Sequence, residues 1–126
     1  MLNKMHRSMM HVNVKNSGKA FEFYKKAFDA KEVCRHANPD GTLAHAELDV
    51  CGQVMSFMEL SDDDAVAGNT MSFGLHFGKG KEAVVRKIYD VLKEGAKIHD
   101  PLGSCEWSPL MTCLIDKFGV SWLIFV

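Results

Sequence analysis

The 126-residue chain lacks the sequence features of several large protein classes. Its four cysteines are Cys34, Cys51, Cys105 and Cys113, and no two of them have C-x-x-C spacing. A zinc ribbon or dithiol redox motif is therefore not indicated, and the cysteines are typical of free thiols in a reducing compartment. No apolar run approaches the ~20 residues that span a bilayer. The start of the chain has no apolar stretch with a small-residue cleavage site. These observations predict a cytoplasmic protein that does not span a membrane.

Concentrated charge is missing as well. The 15 Lys and Arg residues are scattered and balance 16 Asp and Glu, for a net charge of −1, whereas a nucleic-acid groove needs a basic face. The stretch Gly78-Lys79-Gly80 lacks the G-x-x-x-x-G-K-[ST] spacing of a phosphate-binding loop. An apolar content of 47% is ordinary for one globular domain, 1–126. We expect no nucleic-acid or membrane partner.

Two hairpin patterns are present, one in each half of the chain. Leu110 to Val126, LMTCLIDKFGVSWLIFV, has β-prone apolar flanks around a D-x-x-G turn at 116–119. Leu43 to Leu60 has the same design around a D-x-x-G turn at 49–52. Asp and Gly supply the turn chemistry. This duplication indicates two similar units.

A strand, a helix and a second strand precede each hairpin. Alternating residues indicate the strands, and apolar stripes indicate the helices. In chain order these elements are predicted at 9–15, 19–29, 32–37, 71–77, 81–94 and 97–100. The segment 61–69 is predicted as a polar connector and 101–109 as a loop. The two repeats then cover about 1–62 and 70–126.

Two βαβββ units predict an α+β fold. Each unit has one helix to cover one face of its sheet, so the other face stays open unless the units meet. Pairing the units gives a cupped mixed sheet with the helices outside and a cleft inside. Clefts of this kind are common small-molecule sites.

Four motifs then make the chain recognisable: AFEFYKKAF (20–28), HAEL (45–48), Trp107 and DKFGVSW (116–122). They resemble the PhnB-like branch, also called 3-demethylubiquinone-9 3-methyltransferase-like, of the vicinal-oxygen-chelate superfamily of glyoxalases, bleomycin and fosfomycin resistance proteins and extradiol dioxygenases. The resemblance implies a homodimer. It also implies one of three functions: small-molecule binding without a complete metal site, metal-dependent lyase, isomerase or dioxygenase chemistry, or non-catalytic sequestration or resistance. True methyl transfer is not expected, because the glycine-rich loop of a doubly wound sheet is absent.

Strand alternation predicts which side chains face the cleft. It places His11, Asn13, Leu43, His45, Glu47, Ser72, Gly74 and His76 there. The repeat and the family pattern add Ser56, Met58, Leu123 and Phe125, and match Leu110, Thr112 and Leu114 to Leu43, His45 and Glu47. The candidate ligand-binding residues are His11, Asn13, His45, Glu47, Ser56, His76, Trp107 and Thr112.

His45 and Glu47 are the candidate catalytic residues, and two interpretations of the pair are open. Glu47 either stabilises the imidazole or orients His45 as a general base. Trp107, in the predicted loop, has two interpretations as well: a lid over the cleft or part of a dimer seam. Whether the protein is an enzyme stays open at this point.

The resemblance also makes a divalent metal a candidate cofactor. Metal-using members of the superfamily draw ligands from the first and last strands of both units. Here His11 and His76 are the candidate metal ligands, with Ser56 and Leu123 at the last-strand positions. Leu123 stands where the metalloenzymes carry glutamate, so the donor set is incomplete. Hydrogen-bonded neutral histidines, or histidines that contact a ligand without a metal, are the alternatives.

Overall fold

The computed structural model describes residues 3–60 and 66–126, and over these the order of elements repeats once. The first unit comprises β1 (Met10–Val14), α1 (Ser17–Phe28), β2 (Lys31–Ala37), β3 (Leu43–Val50) and β4 (Gln53–Glu59). The second comprises β5 (Phe73–His76), α2 (Glu82–Leu92), β6 (Lys97–Cys105), β7 (Ser108–Ile115) and β8 (Ser121–Phe125). The predicted α+β class with two βαβββ units is confirmed. Most of the predicted connector and the first repeat's boundary lie at 61–65, outside the described residues.

Each unit builds its own four-stranded mixed sheet. The strand orders are β1-β4-β3-β2 and β5-β8-β7-β6. In both sheets the first strand runs parallel to the last, and the remaining neighbours are antiparallel. No helix in the described part of the chain is long and apolar enough to cross a membrane.

The two units share one hydrophobic core through their helices, which pack on each other. The ring of Tyr24 on α1 lies 5.8 Å from Phe57 in the first sheet and 5.8 Å from Trp122 in the second. Phe28 lies 5.0 Å from Trp122. On β1, as alternation predicts, Met10, Val12 and Val14 are buried while His11 and Asn13 are exposed. We call the face of each sheet that points away from the core its open face.

A buried aspartate ties the β7–β8 turn to α1. One oxygen of Asp116 accepts hydrogen bonds from the Tyr24 hydroxyl (2.6 Å) and the Trp122 indole (2.8 Å). The other oxygen accepts from the backbone N–H groups of Phe118 (2.8 Å) and Val120 (3.2 Å). Burial raises the pKa of Asp116, and these hydrogen bonds act in the opposite direction. The second D-x-x-G motif is therefore a structural node of the core.

The predicted loop over 101–109 is wrong. β6 runs through Pro101 to Cys105, and β7 begins at Ser108, so Trp107 lies in a two-residue turn. Pro101 is tolerated because β6 is an outer strand, where a missing N–H breaks no ladder on the free side. The pairing of β6 with β7 is also irregular between Asp100 and Gly103.

The prediction of which β7 side chains face the cleft is wrong: the alternation is shifted by one residue, and the predicted set faces the core. Thr112 pairs with Ile124 and Leu114 with Trp122, so these side chains point into the core. Thr112 is fully buried and donates to the carbonyl of Asp100 (2.8 Å), which removes it from the candidate ligand-binding residues. The physical reason is that β7 is apolar on both faces, so its sequence carries no alternation signal.

Leu43 and Leu110, also predicted to face the cleft, lie in the core. At Leu43 the pairing of β2 with β3 shifts beside Ala37, which changes the alternation at the start of β3. The backbone N–H of Leu43 donates to the hydroxyl of Ser17 (2.8 Å), which draws this end of β3 against α1. An irregularity of this kind leaves no mark in the pattern of apolar residues.

Candidate functional site

The polar residues of the first unit lie in two cross-strand rows on its open face. One row is Cys34, Glu47, Ser56 and His11, each the backbone partner of the next. The adjacent row pairs His36 with His45, and Asn13 with Met58. Paired residues on neighbouring strands project to the same side of a sheet. Four short strands therefore bring distant parts of the sequence together in one polar patch.

Glu47 is the centre of the contacts in this patch. Arg7, from the segment before β1, donates from Nη1 to Oε1 (2.9 Å) and from Nη2 to Oε2 (3.0 Å). His45 Nε2 lies 2.9 Å from the same Oε2, and the Glu47 side chain is only 7% exposed. Hydrogen bonds from Arg7 and then His45 lower the pKa of Glu47 to about 2. The carboxylate is thus ionised and a poor base at neutral pH.

The contact with Glu47 fixes the tautomer of His45. An ionised carboxylate only accepts hydrogen bonds. His45 Nε2 therefore carries a proton and donates it, and in the neutral ring the lone pair is on Nδ1. The His45 side chain is 42% exposed, so a ligand can reach it. A held tautomer with Nδ1 as the accepting nitrogen is what the general-base interpretation of His45 requires of Glu47.

His11 and Asn13 occupy the edge strand of the same patch. His11 Nδ1 lies 2.7 Å from the hydroxyl of Ser56, which is fully buried. The second ring nitrogen, Nε2, is left for a ligand. Asn13 borders a cavity of about 420 Å³ that also touches Phe73 and Ser121 of the second unit.

His76 and Trp107 lie on the open face of the other sheet. Both contact Phe125: the imidazole of His76 stacks on it at 4.5 Å, and Trp107 meets it edge-on at 4.9 Å. Met111 and Cys113, paired with Phe125 and Leu123, continue this face. The ring contacts of His76 and Trp107 are made within the second sheet, whereas the hydrogen bonds and ring contact of the polar patch are made within the first unit. The structure therefore separates two groups that the sequence places in one cleft.

The strand register decides whether the superfamily's metal fits. His11 pairs with Ser56, four residues after the turn residue Gly52, and Gly74 pairs with Leu123, four residues after Gly119. The counterpart of His11 is therefore Gly74, and His76 corresponds to Asn13 instead. The four positions implied by the resemblance hold His11, Ser56, Gly74 and Leu123. Two of these have no donor atom in their side chains, so the residues do not fit the implied metal, and we assign it no chemistry.

Sequence reasoning missed three residues of the patch. Cys34 and His36 alternate on β2 just as His45 and Glu47 alternate on β3, which was a usable signal. The cross-strand pairing itself was not readable, because β2 and β3 are irregular in two places. Arg7 lies in a segment before β1 that has no periodic pattern, so no sequence signal pointed to it.

Comparisons with known proteins agree with this architecture. The sequence model of the Glyoxalase/Bleomycin resistance protein/Dioxygenase superfamily matches residues 6–124. An uncharacterized protein of Mycobacterium bovis is 30% identical over 121 residues, which cover 89% of this chain and 77% of that protein. A Mycobacterium tuberculosis protein is also 30% identical over 121 residues, covering 89% of this chain and 69% of its own.

Among solved structures, a putative 3-demethylubiquinone-9 3-methyltransferase, PhnB protein, from Bacillus cereus has a TM-score of 0.82 at 22% identity, covering 95% of this chain and 98% of its own. A mutant of the fosfomycin resistance protein FosX from Listeria monocytogenes, complexed with Mn(II) and 1S,2S-dihydroxypropylphosphonic acid, has a TM-score of 0.70 at 15% identity. That match covers 99% of this chain and 93% of FosX. At such identities the likeness concerns the fold alone.

Proposed function

Because the chain belongs to the glyoxalase/bleomycin resistance protein/dioxygenase superfamily, we propose that it binds a small molecule on the open face of its first sheet. In this respect it acts as a PhnB-like protein and does not use the superfamily's metal position. The observation that carries the proposal is the patch itself, in which the polar side chains are ordered. By contrast, Gly74 and Leu123, two of the four positions of the superfamily's metal site, have no donor atoms in their side chains. Chemistry on the ligand would fall to His45, which Glu47 holds in place.

The contacts within the patch define the ligand's chemistry. Arg7 and Glu47 neutralise each other, and Ser56 is engaged by His11. The groups left for a ligand are the free imidazole nitrogens of His11 and His45 and the amide of Asn13. Imidazole and amide groups both donate and accept hydrogen bonds. They suit the hydroxyl, carbonyl or oxyanion groups of a small polar molecule.

A second copy of the chain closes the site in this proposal. The open face of the second sheet exposes an aromatic and apolar surface, with Trp107 57% exposed. Apolar surface of this kind marks an interaction site. In a homodimer with two-fold symmetry, the second sheet of each copy covers the first sheet of the other. Trp107 would then be both the lid over the patch and part of the dimer seam.

A thermal-shift screen in the presence of EDTA tests ligand binding. The probes are small hydroxy acids, phenols and phosphonates, including 1S,2S-dihydroxypropylphosphonic acid. At saturating probe we expect one class to raise Tm by several degrees, because a ligand that binds only the folded state stabilises it. His45→Ala should lose the shift, whereas His99→Ala, an exposed histidine on β6, should keep it.

Three results would contradict the proposal. One is a panel in which no probe raises Tm, which would favour sequestration of a larger partner. Another is a shift that persists in both His11→Ala and His45→Ala. The third is a shift that appears only when Mn(II) is added, which would restore the metal-dependent alternative.

A further inference from the structure

Four side chains with zinc-binding donor atoms form a square on the first sheet. Cys34 and His36 alternate on β2, and His45 and Glu47 alternate on β3. Cys34 is the cross-strand partner of Glu47, and His36 is the partner of His45. We propose that Cys34, His45 and Glu47 form a zinc-binding site, with His36 beside it as a fourth donor. This site differs from the superfamily's metal position, which falls at His11 and Ser56.

The distances allow a single ion to reach three of these side chains. The ligand atoms of Cys34, His45 and Glu47 all lie within 4.8 Å of one another. Ligands in a tetrahedral zinc site stand about 3.5 Å apart, given Zn–S and Zn–N bonds of roughly 2.3 and 2.1 Å. Small side-chain rotations close that difference. The ring centroid of His36 is 6.3 Å from that of His45, and His36 is exposed and free to turn.

The donor types favour zinc over magnesium and calcium. A thiolate, an imidazole and a carboxylate are all common zinc ligands. Magnesium and calcium prefer sites built from oxygen alone, and a thiolate is a poor ligand for either. The combination of Cys34, His45 and Glu47 therefore selects a borderline-soft metal.

Zinc binding would exchange one cation for another at Glu47. Without metal, Arg7 occupies both carboxylate oxygens. On binding, the Cys34 thiol releases its proton to solvent, and Glu47 is already ionised. His45 binds as a neutral imidazole whose proton sits on the ring nitrogen that does not face the metal. The guanidinium of Arg7 keeps its charge and returns to water. Because Arg7 is 44% exposed and lies in a segment without regular structure, its release disturbs little packing.

A cobalt titration tests the site with a spectroscopic readout. Tag-free, chelator-stripped protein is titrated with Co(II), which substitutes for zinc, and then with zinc. We expect a thiolate-to-cobalt charge-transfer band in the near ultraviolet that saturates at one equivalent per chain and disappears when zinc is added. Cys34→Ser should abolish the band. Cys113→Ser should retain it, because Cys113 is similarly half-buried but lies on the other sheet.

Arg7→Ala supplies a test with the opposite sign. Since Arg7 competes for Glu47, its removal should lower the Kd for zinc several-fold, whereas His99→Ala, at an exposed histidine on the other sheet, should leave that Kd unchanged. Circular dichroism confirms that each variant is folded. The proposal is overturned if no band forms, if a band survives Cys34→Ser, or if Arg7→Ala weakens zinc binding. Small-molecule binding is measured in EDTA, so either proposal can fail while the other stands.

Discussion

Asp49 and Asp116 occupy the same position of the D-x-x-G motif in two turns, yet they differ in burial and in hydrogen bonding. Asp49 is exposed and accepts a hydrogen bond from the backbone N–H of Gly52 (2.8 Å). Asp116 is buried and accepts four hydrogen bonds, two of them from Tyr24 and Trp122. A buried donor that loses its acceptor pays its desolvation cost in full. The repeated motif therefore contributes very different free energies in the two halves.

We predict that Asp116→Asn lowers the free energy of unfolding by about 3 kcal/mol, because an amide turns an N–H group toward donors that have no other acceptor. Asp49→Asn keeps an oxygen for Gly52 and should change stability by less than about 0.5 kcal/mol, as exposed substitutions do. Urea unfolding of the two variants measures both values. Equal losses of unfolding free energy in the two variants would show that the hydrogen bonds of Asp116 do not stabilise the core.

Glu47 makes part of the stability of the metal-free protein sensitive to acid. Its pKa is lowered from the ~4.3 of an unfolded chain to about 2 in the folded state. Because the folded pKa is the lower one, the contribution is fully present above about pH 5 and is lost as the pH falls toward 2. Since Arg7 is 44% exposed, solvent screening keeps this contribution small.

The measurement is urea unfolding of wild type and Glu47→Gln in EDTA between pH 6 and pH 2.5. The stability difference between the two should be largest at pH 6 and should shrink as the pH falls. Glu94→Gln, which removes an exposed carboxylate, should show a small difference that varies little with pH. A Glu47→Gln difference as large at pH 2.5 as at pH 6 would contradict the interpretation.

At the scale of elements, the start of α1 depends on neighbouring strands. Asn16 has a left-handed backbone (φ 55°), and its side chain makes no capping hydrogen bond. Instead, Glu59 at the end of β4 accepts from the backbone N–H groups of Asn16 (3.2 Å) and Ser17 (2.9 Å). The next residue, Gly18, lies so close to the β2–β3 turn that an added Cβ would stand 2.5 Å from the carbonyl oxygen of Gly41. Packing between elements thus fixes this helix terminus.

Gly18→Ala should therefore destabilise the protein, although alanine has the higher helix propensity. Alanine in place of glycine normally stabilises a helix by up to about 1 kcal/mol. Here the clash with Gly41 should instead lower the free energy of unfolding by about 1–3 kcal/mol, as in other overpacked sites. Thermal unfolding measures the sign, with Lys19→Ala at the adjacent exposed position as the control. A rise in Tm for Gly18→Ala would contradict the close approach.

Elements were easier to predict than their pairing. Turn motifs and periodicity are local, so they located eight strands and two helices from the sequence. Alternation also predicts that His11, His45 and Glu47 face the same side, whereas Ser56 is predicted only from the repeat and the family pattern. The facing of β7 and the strand through Pro101 depend on how β7 pairs with β6 and β8, and a strand that is apolar on both sides does not reveal that register. Arg7 could not be found at all, because its role comes only from where the N-terminal segment crosses the sheet.

At the scale of the whole molecule, the two open faces have opposite character. The first sheet presents imidazole, carboxylate and guanidinium groups, and the second presents Trp107, Phe125 and their apolar neighbours together with the imidazole of His76. The two faces complement each other, since a largely apolar wall over a polar patch excludes water from a bound ligand. This complementarity is the physical basis for expecting two chains in the working form.

We predict a solution mass of twice the 14.1 kDa chain by light scattering. Trp107→Glu should shift the protein to monomer without unfolding it, because a charge would be buried in the seam. Val84→Glu is the matched control: Val84 is also an exposed apolar residue (37%), but it lies on helix α2 and not on either sheet. A wild-type protein that is monomeric at tens of micromolar, or a dimer that survives Trp107→Glu, would contradict the proposed seam.

The separation of the two sheets also has a consequence for how the chain folds. In the part of the chain that the structure describes, every strand pair joins strands from the same half of the sequence, so neither sheet waits for the other half before its loops close. The antiparallel partners are close in sequence, which favours their rapid pairing, whereas the parallel pairs β1–β4 and β5–β8 close last because they join residues such as Met10 and Met55. Each half can form its own hairpin independently, and the rings of Tyr24, Phe28 and Trp122 then lock the halves together. Incorrect strand pairing in one half therefore does not change the strand pairing of the other half.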